Sequence, residues 1–127
     1  MLRIPIGEGA EGELYSVAMA PDGSRLVATG NTGSSWDQSF SLYVFDVAEA
    51  RLVGRVRHLP QFVNDLAYSP DGRYLAGILG GGSGLRVWDA KSFKLAFHDT
   101  SYEGRGSSVA FAPDGRLAAA AFDGWIR

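Results

Sequence analysis

A pattern that occurs three times in this chain constrains its fold more than any other feature. The copies read SVAMAPDGSRLVA, DLAYSPDGRYLAG and SVAFAPDGRLAAA, and they begin at Ser16, Asp65 and Ser108. The central Pro-Asp-Gly triplets begin at Pro21, Pro70 and Pro113, so they lie 49 and 43 residues apart. Repeats of this period are typical of solenoids, propellers and other arrays of small structural units. The chain is therefore predicted to stack similar units.

Each unit is predicted to form four short strands. In the second unit, the apolar or alternating segments are Val63–Tyr68, Tyr74–Leu79, Leu85–Trp88 and Phe93–Phe97. The Pro-Asp-Gly triplet between the first two suits a tight turn, because Pro presets φ, Asp bonds its own backbone and Gly supplies a positive φ. No stretch of ten or more residues shows helical periodicity. The sequence predicts an all-β fold of four-stranded antiparallel meanders.

An aromatic-Asp pair closes the third strand of the first two units. Phe45-Asp46 and Trp88-Asp89 lie 43 residues apart, and the third unit ends before such a pair. A four-stranded repeat that closes with Trp-Asp resembles the blades of WD-repeat β-propellers, and the resemblance covers nearly the whole chain. It implies about three blades' worth of strands. The residues that carry it are Pro21, Asp22, Gly23, Asp46, Pro70, Asp71, Gly72, Trp88, Asp89, Pro113, Asp114 and Gly115.

Several residues depart from the pattern of that family. Its blades usually carry a His before the first strand, which joins a buried polar network; here Ala10 and Leu59 occupy that place in the first two units. Asp123 alone matches the aspartate of the network. We therefore expect no complete polar network in any blade, and we expect apolar packing to hold the blades instead.

The number of strands raises the question of ring closure. Leu2, Ile4 and Ile6 alternate with other residues and, next to Pro5, predict an edge strand that would be the fourth of a preceding blade. The predicted units are residues 1–7, blade one at 14–58, blade two at 62–99 and an incomplete blade three at 106–127. Closed propellers have about four to eight blades. Two alternatives remain: the chain is a segment of a larger propeller, or copies associate head to tail.

Head-to-tail association predicts a homo-oligomer, with a six-bladed dimer favoured. The N-terminal strand of one chain would complete the third blade of another. The residues assigned to this contact are Leu2, Ile4, Ile6, Trp125 and Ile126.

Composition and motifs disfavour several functional classes. The net charge of −2 argues against nucleic-acid binding, and the absence of Cys excludes thiolate metal sites. We expect no metal, no cofactor and no membrane partner, because there is no HxxxH-type spacing and no apolar run long enough to span a bilayer. No leader is recognisable, so a cytoplasmic protein is predicted. The segment Gly80–Gly84 lacks a following Lys and precedes a strand, which indicates a turn and not a phosphate loop.

Enzyme activity is not predicted, because there is no GxSxG elbow and the turn aspartates have structural roles. Arg51, Arg55 and Arg57 share one predicted outer strand. They form either an anion-binding patch or, as we expect, a charged edge that prevents unwanted strand pairing.

The most individual feature is an insertion of six residues in the first unit, between its second and third strands. Insertions in repeat arrays map to loops on one face, often the binding face, and an exposed Trp is a typical interface anchor. The expected contact with an unidentified protein comprises Trp36, Asp37, Gln38, Phe40, Phe62, Tyr102 and Arg105.

The sequence thus predicts a non-catalytic WD-repeat scaffold for protein interaction. One alternative, implied by the resemblance, is a fragment of a larger signalling or peptidase-like protein. Another is a small-ligand site in the propeller channel, which is disfavoured because the innermost strands are mostly apolar, with Ser16 and Asp65 at the rim.

Overall fold

The computed structural model describes residues 12–32 and 39–127, which form ten strands in three antiparallel sheets. Blade one has the order β1-β2-β3-β4, blade two has β5-β6-β7-β8, and blade three contains β9 and β10. The predicted all-β fold of four-stranded meanders is confirmed. The strands are β1 Gly12–Met19, β2 Arg25–Thr32, β3 Phe40–Asp46, β4 Arg51–Leu59, β5 Val63–Tyr68, β6 Tyr74–Leu79, β7 Leu85–Asp89, β8 Leu95–Asp99, β9 Gly106–Phe111 and β10 Leu117–Ala121.

The strand boundaries of blade two differ from the prediction at its outer edge. The fourth strand begins at Leu95 and not at Phe93. Phe93 has a positive φ of 56°, and its N–H donates to the carbonyl of Asp89. The Asp89 carboxylate also accepts from the backbone N–H groups of Lys91 and Ser92, so these side-chain bonds extend the turn at the expense of the strand. The alternation Phe-Lys-Leu-Ala-Phe therefore spans a turn and a strand.

The three Pro-Asp-Gly turns have the predicted geometry. Gly23, Gly72 and Gly115 have φ values of 73°, 73° and 88°. In each turn the aspartate accepts a hydrogen bond from the backbone N–H two residues further on. The third turn is one residue shorter, because Ala112 N–H bonds to Arg116 O where Ser69 N–H bonds to Tyr74 O. The missing residue lies in the turn itself, so Leu117 pairs with Phe111 as Leu75 pairs with Tyr68 in blade two.

Neighbouring blades pack face to face through apolar clusters. Between blades one and two the cluster includes Val27, Leu42, Leu75 and the fully buried Trp88. Between blades two and three it includes Ala76, Ile78, Val87, Val109 and Ala119. The expected apolar packing between blades is present.

The innermost strand of every blade contains a β-bulge at the same repeat position. The pairing registers shift around Tyr15 in β1, Asn64 in β5 and Ser107 in β9. A bulge leaves one residue unpaired and redirects its side chain. Two of these side chains reach the following blade: the Tyr15 ring contacts a phenylalanine of blade two, and Asn64 Nδ2 donates to Gly106 O of blade three. The bulges thus direct inner-strand side chains toward the neighbouring blade.

Candidate interaction sites

Asp65 joins the innermost strands of all three blades. Its Oδ1 accepts from the Ser16 hydroxyl of blade one at 3.1 Å, and its Oδ2 accepts from the Ser108 hydroxyl of blade three at 2.9 Å. The backbone N–H groups of Leu66 and Val109 add bonds of 3.0 and 3.1 Å. Ser16 and Asp65 are predicted at the channel rim, and the blades also pack through apolar clusters. These four bonds form a polar junction as well, because the two carboxylate oxygens of Asp65 accept hydrogen bonds from the blades on either side.

An aromatic cluster lies at the opposite end of the strands from the Pro-Asp-Gly turns. Phe40 and Phe62 meet edge to face with ring centroids 5.8 Å apart, and Tyr15 approaches Phe62 at 6.4 Å. Gly80 makes room for this arrangement, since a Cβ there would lie 2.8 Å from the Phe62 ring. The structure thus brings together two of the predicted contact residues. It adds Tyr15, which is 52% exposed and which the sequence analysis missed.

The remaining predicted contact residues are placed differently. Tyr102 is only 5% exposed, packs in the core between blades two and three, and lies under the Arg127 guanidinium at 4.4 Å. It therefore has little surface to offer a partner. Arg105 is exposed and stacks on the ring of Phe122 at 5.2 Å. Trp36, Asp37 and Gln38 lie outside the described residues, as do Leu2, Ile4 and Ile6 of the predicted N-terminal strand.

Apolar side chains are exposed at both ends of the blade stack. Val17 and Met19 of β1 are 59% and 54% exposed, whereas the equivalent Leu66 and Tyr68 of blade two pack against blade one. At the other end, Ile126 is 80% exposed, although it pairs with Ala120 in the position that Leu85 occupies in blade two. These are positions that a neighbouring blade covers elsewhere in the molecule. Trp125 beside Ile126 is also largely exposed.

The glycine segment and the arginine-rich strand form a turn and an outer edge strand. Gly81, Gly82 and Gly84 have positive φ values, and the glycine segment forms the predicted turn between β6 and β7. Arg51, Arg55 and Arg57 are exposed along β4, the outer edge of blade one. In residues 12–32 and 39–127, no group of three or more His, Cys, Asp or Glu side chains is arranged to hold a metal ion.

Comparison with known families identifies the repeat. Residues 52–89 match the family model described as "WD domain, G-beta repeat". This segment of the chain is similar to a WD repeat. The matched segment comprises most of β4 and all of β5, β6 and β7, so the sequence repeat straddles two blades. The predicted resemblance to WD-repeat propellers is thereby confirmed, and the chain is consistent with a partial WD-repeat propeller.

Two curated proteins are similar to parts of the chain. A WD repeat-containing protein SL1-17 of Schistosoma mansoni is 34% identical over 118 residues, which cover 91% of this chain and 36% of that protein. The hydrazine synthase subunit beta of Kuenenia stuttgartiensis is 39% identical over 61 residues, which cover 47% of this chain and 15% of the subunit. The chain thus spans about a third or less of the length of these relatives.

A solved structure supports the fold. Kuenenia stuttgartiensis hydrazine synthase superimposes with a TM-score of 0.69 and 22% identity, over 84% of this chain and 29% of that chain. At this identity the similarity concerns the fold alone. The described residues contain no helix that is long and apolar enough to cross a membrane.

Proposed function

We propose that this chain is a scaffold of propeller blades that binds a protein partner at the loop end of blades one and two. The observation that carries the proposal is the aromatic cluster of Tyr15, Phe40 and Phe62. The cluster lies at the end of the blades where β2 ends and β3 begins. The inserted residues connect these two strands, so the insertion and the cluster share one end of the blades. Tyrosine and tryptophan at such a position supply large contact areas at a low cost in side-chain entropy.

Rigidity of the cluster supports this role. Phe62 is held over Gly80, and the β1 bulge aims Tyr15 at Phe62. A preformed aromatic surface does not have to be ordered when a partner binds, which favours affinity. The WD-repeat family supports a role in protein interaction, while fold similarity alone does not establish function.

Affinity capture with matched variants tests the proposal. The immobilised chain is expected to retain a partner that is lost with Tyr15→Ala and with Trp36→Ala. Phe97→Ala, which removes an exposed aromatic side chain from the outer strand β8, should retain it. The proposal is wrong if both loop-end variants capture the same proteins as the unaltered chain, with circular dichroism showing that all three variants are folded.

A second candidate property is head-to-tail self-assembly. The exposed Val17 and Met19 at one end and Ile126 at the other occupy positions that a neighbouring blade covers within the molecule. These faces would meet in a two-fold ring of six blades, or would be covered by further blades of a longer polypeptide. Burying exposed aliphatic side chains of this size favours such a contact by about 1.5 to 3 kcal/mol for each one.

Solution mass distinguishes these arrangements. Light scattering should give twice the 13.6 kDa of one chain if the ring forms. Met19→Asp should convert the dimer to a monomer, whereas Ala48→Asp adds the same charge in an exposed turn and should not. A monomer for the unaltered chain would contradict self-assembly and favour coverage by a longer polypeptide.

The channel alternative receives less support. A small-ligand site there would need free polar groups on the innermost strands, but the hydroxyls of Ser16 and Ser108 already donate to the Asp65 carboxylate.

A further inference from the structure

The outer strand of blade two presents an edge that pairs with no described strand. β8, Leu95–Asp99, is the last strand of its sheet, and its first four residues are all exposed. Its edge points away from β7 within the plane of the sheet, whereas neighbouring blades stack on the two faces of the sheet. A further blade or a closed ring therefore leaves this edge open.

The equivalent edge in blade one carries charges that oppose pairing. Arg51, Arg55 and Arg57 are exposed along β4, and the pairing of β4 with β3 shifts register twice. Charged side chains and bulges of this kind protect edge strands from unwanted partners. The segment Leu95–His98 contains no Asp, Glu, Lys or Arg, and the pairing of β8 shifts register once. Blade two therefore lacks the protection that blade one has.

The backbone of β7 shows which groups of β8 point outward. Successive residues of a strand direct their N–H and C=O groups alternately to its two neighbours. Ala90 N–H donates to Arg73 O, on the β6 side, at 2.9 Å. Asp89 and Val87 therefore direct their backbone groups to the other side, toward β8. The bond from Asp89 N–H to Lys94 O, also 2.9 Å, agrees with this alternation.

Two residues of β8 have backbone groups that point away from β7. Lys94 and Phe97 are the partners of the β7 residues that face β8. The register shift between them places Ala96 in a bulge, which adds one residue to β8 alone. Leu95 and His98 lie next to these partners, so their N–H and C=O groups face the open edge. β8 thus offers two donors and two acceptors to another strand.

We propose that β8 pairs antiparallel with β8 of a second copy of the chain, in the register that sets Leu95 opposite His98. In this two-fold arrangement the outward-facing residues of the two strands meet, so the copies exchange four backbone hydrogen bonds. The same register sets Lys94 of each copy opposite Asp99 of the other, and neither forms an ion pair with a described residue. The edge is therefore complementary to itself in backbone groups and in charge.

The contact is expected to be weak and sensitive to salt. A paired edge of five residues buries less surface than the roughly 1,200 Å² of a standard interface, so we expect a dissociation constant of about 0.1 to 1 mM. At the micromolar concentrations of light scattering it is little populated. Hydrogen bonds from the hydroxyl and N–H of Ser101 lower the pKa of the Asp99 carboxyl, which is therefore charged at neutral pH. Added salt screens its attraction to Lys94.

Sedimentation equilibrium of the Met19→Asp chain, which lacks the head-to-tail contact, tests the proposal. This chain should still dimerise at about 0.1 to 1 mM, with a mass that approaches twice 13.6 kDa. Adding Lys94→Glu or Asp99→Lys sets like charges opposite each other in both pairs, which should raise the dissociation constant at least about tenfold. An equimolar mixture of these two variants regains both pairs of opposite charges and should recover the original affinity.

Two further variants separate the edge from general effects. Lys91→Glu is the matched control, because it reverses an exposed lysine in the turn before β8 and should leave the dissociation constant unchanged. His98→Pro removes an outward N–H, which an edge strand tolerates, and should prevent dimerisation without unfolding the blade. A Met19→Asp chain that stays monomeric at about 1 mM, or equal losses in Lys91→Glu and Lys94→Glu, would overturn the proposal. If Asp99→Lys fails to fold by circular dichroism, His98→Pro decides.

Discussion

The carboxylate of Asp65 provides the sharpest test of how the blades are held together. It accepts hydrogen bonds from the hydroxyls of Ser16 and Ser108 in the two flanking blades. The backbone N–H groups of Leu66 and Val109 also donate to it. Asp65→Asn keeps the shape of the side chain but replaces one acceptor oxygen with a donor amide. Whichever way the amide is oriented, the donors on one side of it then face another donor.

The size of the effect follows from the bonds that are lost. Each carboxylate oxygen of Asp65 accepts two of the four bonds, and bonds to a charged group contribute about 1.5 to 3 kcal/mol each. Partial exposure and bonding to water in the unfolded chain reduce the sum. We expect Asp65→Asn to lower the free energy of unfolding by about 2 to 4 kcal/mol. Ser16→Ala and Ser108→Ala each remove one donor and leave the carboxylate satisfied elsewhere, so each should cost about 1 kcal/mol.

Urea denaturation followed by tryptophan fluorescence measures these differences, because Trp88 is buried between blades one and two. Amide hydrogen exchange then locates them: the Val109 N–H should lose protection most, since its acceptor is the altered side chain. A double-mutant cycle between Asp65→Asn and Ser108→Ala should give a coupling of about 1 kcal/mol.

The result that refutes the junction is a small one. If Asp65→Asn changes the free energy of unfolding by less than about 0.5 kcal/mol, the effect is that of an ordinary surface substitution. The bonds across the blades would then contribute nothing, and apolar packing alone would hold the stack. The assignment of the junction to blade three would be contradicted if the loss of exchange protection were spread evenly over all the strands, without a maximum at Val109.

Three further predictions follow from packing and charge. Trp88→Ala should lower the free energy of unfolding by about 3 to 5 kcal/mol in calorimetry, because it empties the core between blades one and two; a loss below about 1 kcal/mol would contradict that packing. Gly106→Ala should destabilise by at least about 2 kcal/mol in urea, since its Cβ would lie 2.7 Å from the Leu79 carbonyl oxygen; an unchanged midpoint would refute this close approach. The Ser69 hydroxyl holds the pKa of the Asp71 carboxyl below its ordinary value of 3.8, so the folded chain binds this proton more weakly than the unfolded chain. This stabilisation is present above about pH 4 and is lost as the pH falls through the lower folded pKa. In thermal melts, Asp71→Asn should therefore lose less stability on acidification than the unaltered chain. An identical dependence of stability on pH in the two chains would contradict this prediction.

The blade pattern was predictable from local sequence, because each of its parts is a short-range property. Alternating apolar residues specify strands, and the Pro-Asp-Gly turns fix φ and supply their own hydrogen bonds. The inner strands β5 and β6 were predicted to the residue for this reason. The outer strand β8 was not, since the side-chain bonds of Asp89 carry the turn through Phe93.

The candidate sites depended on contacts between residues far apart in the sequence. The repeat determined that Ser16, Asp65 and Ser108 occupy equivalent positions, but only face-to-face packing of three blades placed both serines on one carboxylate. Only the bulge in β1 turns Tyr15 toward Phe62, and only the packing of blades two and three buries Tyr102, a predicted contact residue. The sequence thus determined the blades and their turns, because these are local in the chain. The tertiary structure decided which side chains meet across blades and which remain exposed, because packing sets those distances.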